Sequence, residues 1–216
     1  MNEASREPRR PPNALPFRLI VGVTGASGAI YGWRLLEKLR SHSGVESHLI
    51  LSRAGERTAL LELGKQAADF RALTHCWYPV EDISARLASG SFRADAMVIA
   101  PCSIHTMSAI AAGISSNLMI RAADVTLKQR RPLILMVRES PLHLGHLRSM
   151  AALAEMGAII APPVPAFYHR PGTVDELVDD SVDRTLDLLG LAGPETRRWN
   201  GPAKRPATKH EAEEKS

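Results

Sequence analysis

The chain has 216 residues, 44% of them hydrophobic and 23% charged, with a formal net charge of +4. This length and apolar content support one folded domain with tails and exclude wholesale disorder. Aromatic residues make up only 5%, so the stacking platforms used on single-stranded nucleic acid are not evident. The mild basic excess reads as solvated surface plus a few anion contacts.

Residues 1–16 are rich in proline and arginine and are expected to form a loose tail, as are residues 201–216, which are charged and lack an apolar period. The expected domain is 17–200. Short apolar runs alternate with helical patterns along it. Strands are expected over 18–23, 47–52, 96–101, 132–137 and 158–162. Helices are expected over 29–40, 54–63, from about 104, and over 117–130, 142–156 and 173–189. Pro132 ends the fourth of these and Gly157 is placed to terminate the fifth. Thr173 is a candidate N-cap, with Asp175 and Glu176 in the favourable first turn.

Continuous apolar strands separated by helices predict an α/β protein. Its sheet is doubly wound and mostly parallel, with helices on both faces, in a Rossmann- or flavodoxin-like three-layer sandwich. Ligands of such folds bind beyond the carboxyl ends of the strands, which directs attention to four loops.

The first loop is Thr24-Gly25-Ala26-Ser27-Gly28-Ala29. Small residues and a helix N-terminus suit a phosphate, although many tight strand-to-helix turns look the same. A dinucleotide site wants an acidic residue at the end of the second strand. That strand ends in Ser52, with Glu46 at its other end, so a mononucleotide such as FMN fits better than NAD. The third loop, Pro101-Cys102-Ser103-Ile104-His105-Thr106, offers hydroxyls at a helix start, either for a ligand or as a simple Ser103 cap. Cys102 reads as a buried packing residue. In the fourth loop, Arg138 could clamp a phosphate and Glu139 could move a proton, or the two could form a surface ion pair. Tyr168 follows the last strand and offers a hydroxyl on an apolar body.

Two cysteines, Cys76 and Cys102, imply no disulfide framework and fit a reducing compartment. No Cys/His zinc spacing appears, His143 and His146 lack a third ligand, and no carboxylate cluster suits Mg²⁺, so no metal is expected. The N-terminus has no apolar signal core, and no apolar run approaches the ~20 residues that span a bilayer. The expectation is a cytoplasmic protein with neither membrane nor nucleic acid as partner.

Five stretches in order, VTGASGAIYGWRLLEKL, HLILSRAGERTALLE, MVIAPCSIHT, RAADVTLKQRRPLILMVRESPLHLGHL and GAIIAPPVPAFYHRP, resemble the UbiX-type flavin prenyltransferases. The resemblance implies transfer of a dimethylallyl group from dimethylallyl phosphate to N5 and C6 of reduced FMN, without a metal. It implies FMN contacts from Gly25, Ala26, Ser27, Ser52, Ser103, Ile104, His105, Thr106 and Arg138, with Ser27 near N5. Lys128, Arg138, Tyr168 and Arg184 would bind the dimethylallyl phosphate. Ser27, Glu139, Lys128 and Glu62 would serve the chemistry. Where relatives often have lysine or glycine, this chain has His105. The resemblance further implies a dodecamer with sites between subunits and a decarboxylase that receives prenylated FMN. Two other readings stay open on the residues: a flavin-dependent decarboxylase of a cysteine-derived carboxylate, and a non-catalytic flavin carrier. The first usually carries a cysteine in a late flap, and this chain has none after Cys102.

Overall fold

The computed structural model describes residues 15–193 and 196. The expected tails therefore lie outside the described residues, except for residues 15 and 16. Six parallel strands form one sheet in the order β3-β2-β1-β4-β5-β6. The strands are β1 Phe17–Val23, β2 Val45–Leu51, β3 Cys76–Pro79, β4 Ala96–Cys102, β5 Leu133–Val137 and β6 Ile159–Ile160. Among the described residues seven helices connect and follow them: α1 Ala29–Arg40, α2 Arg53–Leu63, α3 Ala67–Ala72, α4 Ile104–Ala111, α5 Leu118–Lys128, α6 Leu144–Glu155 and α7 Val174–Asp187.

Alternation along the strands builds two cores. Leu19, Val21 and Val23 face one side with Val98, Leu35, Leu36, Phe70 and Val182, so α1, α2, α3 and α7 cover that face. Ile20, Met97 and Ile99 face the other with Met107, Met119 and Leu153, so α4, α5 and α6 cover the second. All seven residues of β4 are buried, which is why the central strands read as unbroken apolar runs. Gly32 of α1 is required by close approach: a Cβ there would lie 2.4 Å from the Ala100 carbonyl oxygen. On the outer side of the first layer, Arg34 pairs with Asp179 at 2.7 Å and Lys38 with Asp183, tying α1 to α7.

Two expectations need correction. The sheet has a sixth strand, β3, which the apolar pattern does not announce. It is an edge strand with no fully buried residue, so it never forms an apolar run. The last strand is only two residues long, not five. Gly157 does follow α6 with φ 98°, and the Thr173 hydroxyl accepts from Glu176 N–H at 3.2 Å as the expected cap of α7.

Candidate active site

Strand order reverses between β1 and β4, and a crevice opens beyond their carboxyl ends, as doubly wound sheets require. Its walls are the first, third and fourth predicted loops. Gly25, Ala26 and Ser27 line it with Ser103, Ile104, His105, Arg138 and Glu139, in a cleft of about 470 Å³. Thr24 joins two of these loops. Its hydroxyl donates to the Pro101 carbonyl at 2.6 Å and accepts from Ser103 N–H at 2.9 Å. Arg138 joins the third, since its Nε donates to the Ser27 carbonyl at 3.2 Å. Sequence reasoning passed over Thr24, although a hydroxyl directly after the first strand was the signal.

The N-terminus of α1 differs from expectation. Gly28 takes φ 103°, a left-handed conformation that favours glycine. Glu62, on the last turn of α2, accepts from Gly28 N–H and Ala29 N–H, both at 2.9 Å. The chain thus supplies its own anion to these groups. In this structure a carboxylate faces the N–H groups and the helix dipole at which the sequence pattern suits a phosphate.

Ser52 caps α2 by accepting from Gly55 N–H at 3.0 Å, and its own N–H reaches the Val23 carbonyl at 3.0 Å. Ser103 caps α4 by accepting from Thr106 N–H at 3.3 Å while its hydroxyl donates to Thr106 Oγ1 at 3.2 Å. Ser103 is therefore a cap and a cleft residue at once. The Arg138–Glu139 surface ion pair does not form: Glu139 Oε1 instead accepts from Ser140 N–H at 3.0 Å. Cys102 is fully buried, and burial pushes its thiol up to about 12, as suits a packing residue.

Tyr168 and Arg184 meet in a second cavity, of about 530 Å³, walled by β6's exit and α7. Met136 of β5 lines this cavity and Arg138, two residues on, lines the cleft. Arg184 Nη1 donates to Asp187 Oδ2 at 2.8 Å. Asp180, which the sequence reading missed, lies on the same wall. Its signal was its place four residues before Arg184 on one helix.

Lys128 is not brought to either cavity. It ends α5, before β5 begins, and lines a third cavity of about 1070 Å³ with Pro132 and Ile159, at the amino ends of β5 and β6. Among the described residues the one trio of close metal-ligating groups is Glu46, His48 and Cys76. It stands on β2 and β3, where Arg18 holds Glu46 at 3.0 Å and Arg86 donates to the Cys76 sulfur at 3.4 Å. No residue of the cleft belongs to it.

The sequence pattern of the flavoprotein family matches residues 9–185. A flavin prenyltransferase UbiX from Thauera aromatica is 50% identical over 193 residues, covering 89% of this chain and 99% of its own. The crystal structure of a dodecameric FMN-dependent UbiX-like decarboxylase from Escherichia coli O157:H7 superposes with TM-score 0.84 at 47% identity, covering 85% of this chain and all of that one. A UbiX solved in complex with FMN and dimethylallyl pyrophosphate gives TM-score 0.85 at 44% identity, over 87% of this chain and 100% of its own. No helix among the described residues is long and apolar enough to cross a membrane. The chain belongs to the flavoprotein family and, within it, to the UbiX flavin prenyltransferases.

Proposed function

We propose that this protein transfers the dimethylallyl group of dimethylallyl phosphate to N5 and C6 of reduced FMN. The observation that carries the reading is the pairing of two neighbouring cavities. One is a cleft of small loop residues with Arg138 at the strand-order reversal; the other holds Tyr168 and Arg184. The donor set of the cleft fits a flavin: a Gly25-Ala26-Ser27 turn, the Ser103 hydroxyl and a guanidinium.

Reduced FMN, when bound, supplies the nucleophilic N5 and the ring carbon C6. The chain's task is to bind, orient and manage charge. The bond from donor C1 to phosphate oxygen would break as C1 joins N5 and N5 gives up its proton; C2 of the donor would then gain a proton as its double bond opens, C3 would join C6 and the C6 proton would leave, a net gain of C5H8. Arg138 and Arg184 stand to neutralise the departing phosphate, a role in which one preorganised donor is worth about 3–4 kcal/mol. Glu139 stands next to Arg138 and is our choice to pass the C6 proton to the released phosphate. Ser27 lines the cleft and would offer its hydroxyl to a bound flavin near N5. Glu62 acts by holding the Gly28–Ala29 turn rather than by touching substrate.

Lys128 reaches this site only from another copy of the chain, because its own fold carries it to the amino ends of the strands. A dodecameric relative supports such an assembly. We further propose a cytoplasmic enzyme whose single domain, residues 17–200, hands prenylated FMN to a decarboxylase.

The test is to incubate the protein with reduced FMN and dimethylallyl phosphate and to weigh the extracted flavin. A gain of one C5H8 unit is expected. An unchanged flavin would refute the reading in favour of a carrier, and carbon dioxide release from a thiol peptide would favour a cysteine-type decarboxylase.

A further inference from the structure

We propose that Glu46, His48 and Cys76 bind a zinc ion at the edge of the sheet, apart from the flavin cleft and with no part in the prenyl transfer.

Strand register brings the three together. Glu46 and His48 are two residues apart on β2, so they share one face of the sheet. Cys76 opens β3 directly opposite His48. One ligand atom from each lies within 4.8 Å of the other two. A carboxylate, an imidazole and a thiolate make a set that zinc accepts, with a fourth tetrahedral position left for water.

His48 supplies an independent observation. Its side chain is fully buried, yet Nε2 has no hydrogen-bond partner among the described residues. A buried ring nitrogen in that condition is costly. Glu46 Oε1 lies 3.2 Å from it. Nitrogen and oxygen ligands of a tetrahedral zinc stand about 3.3 Å apart, given bonds of about 2.0–2.1 Å. The pair is therefore spaced to share an ion.

The neighbours act as outer groups that orient the ligands. Tyr78 Oη lies 3.2 Å from His48 Nδ1, and a proton placed on that nitrogen leaves the Nε2 lone pair for the metal. Arg18 Nε donates to Glu46 Oε2 at 3.0 Å and leaves Oε1 to the ion. Arg86 Nη2 touches the Cys76 sulfur at 3.4 Å while its Nε donates to Tyr78 Oη at 2.7 Å. Arg86 is exposed, so Nη2 can yield the sulfur to a metal. The Cys76 thiol then loses its proton to solvent. Two guanidiniums nearby oppose any cation, so affinity has to come from the metal–thiolate bond. That excludes Mg²⁺ and Ca²⁺, which take oxygen ligands, and selects a thiolate-binding metal. Bound zinc would tie the edge strand β3 to β2.

The experiment uses the full-length FMN-bound protein, stripped with a chelator and titrated with Co²⁺ and then Zn²⁺. Expected are the intense ligand-field bands of four-coordinate cobalt, which lie to the red of flavin absorption. Zn²⁺ should abolish them and Mg²⁺ should not. Cys76→Ser should weaken zinc binding by more than 100-fold, and Tyr78→Phe by about tenfold. Cys76→Ala replaces the serine variant if that one fails to fold. Absence of the bands, or equal bands with and without the Cys76 sulfur, overturns the proposal. The titration requires no turnover, so its outcome is separate from that of the prenyl-transfer reading.

Discussion

Removing the Glu62 carboxylate isolates the device that holds the first loop. In Glu62→Ala, the N–H groups of Gly28 and Ala29 lose acceptors at 2.9 Å. A hydrogen bond to a charged group contributes about 1.5–3 kcal/mol when water is excluded, and an N-cap about 1 kcal/mol. The Gly28 contact is exposed and the Ala29 contact partly buried, so water replaces part of the loss. Taking about 1 kcal/mol for each N–H gives a loss of about 2 kcal/mol. For a protein of this length that lowers the melting temperature by about 4–8 °C. Thermal and urea unfolding of the FMN-free protein measure it, with Glu62→Gln as an intermediate that keeps an acceptor oxygen but not the charge. The alanine variant should also bind FMN more weakly, because Ser27 and the turn beside it are loosened. Equal stability of Glu62→Ala and wild type, with full loss of turnover, would refute this reasoning and return Glu62 to the chemistry.

Three further expectations follow from the geometry. Glu139→Gln should retain FMN, since the Ser140 N–H keeps an acceptor, but lose turnover by about 10²-fold, the lower bound for a lost proton-transfer group; wild-type single-turnover rates would count against it. Gly32→Ala sets a gain in helix propensity of about 1 kcal/mol against a Cβ placed 2.4 Å from the Ala100 carbonyl oxygen. Overpacking of about 3 kcal/mol wins, so urea midpoints should fall, and a stabilised variant would contradict the packing of α1 on β4. His48 is held neutral, its pKa pushed down to about 4 by burial despite the carboxylate of Glu46 at 3.2 Å. An unfolded histidine titrates near ~6.5, so this source of stability is intact above that pH and is lost as pH falls toward about 4. It amounts to at most about 3 kcal/mol. Urea titrations at several pH values in wild type and His48→Gln would measure it, and identical pH slopes would reject it.

The legible parts of the fold were those where burial leaves no choice. β1, β4 and β5 are covered on both faces, so nearly every residue is apolar and each run stands out. β3 did not stand out, because Cys76 and Tyr78 are half-buried while Trp77 and Pro79 face solvent, and a single exposed edge erases the signal. The cleft was legible for a similar reason: a parallel sheet puts ligands at its carboxyl end, so the loops after Val23, Ala100 and Val137 were marked by position alone. Glu62 was harder. An acidic residue at the end of a helix is unfavourable for that helix, and only the packing of α2 beside the first loop turns it into a cap for another helix. Lys128 was harder still. Its resemblance to a substrate-binding lysine says nothing about which end of the sheet it occupies, and a single chain carries it to the far one.

Thr24 sets the aperture between two walls of the cleft. The hydroxyl spans from β1 to the turn after β4 through one donated and one accepted bond, a clasp that touches no substrate atom in any of the roles assigned above. A sheet fixes the distance between neighbouring strands, yet the loops beyond its edge are free to splay. A methyl in place of that hydroxyl would keep the shape of the side chain and abandon both bonds. Thr24→Val is therefore expected to weaken flavin binding while every ligand-facing side chain stays the same, and an unchanged flavin titration would count against the clasp.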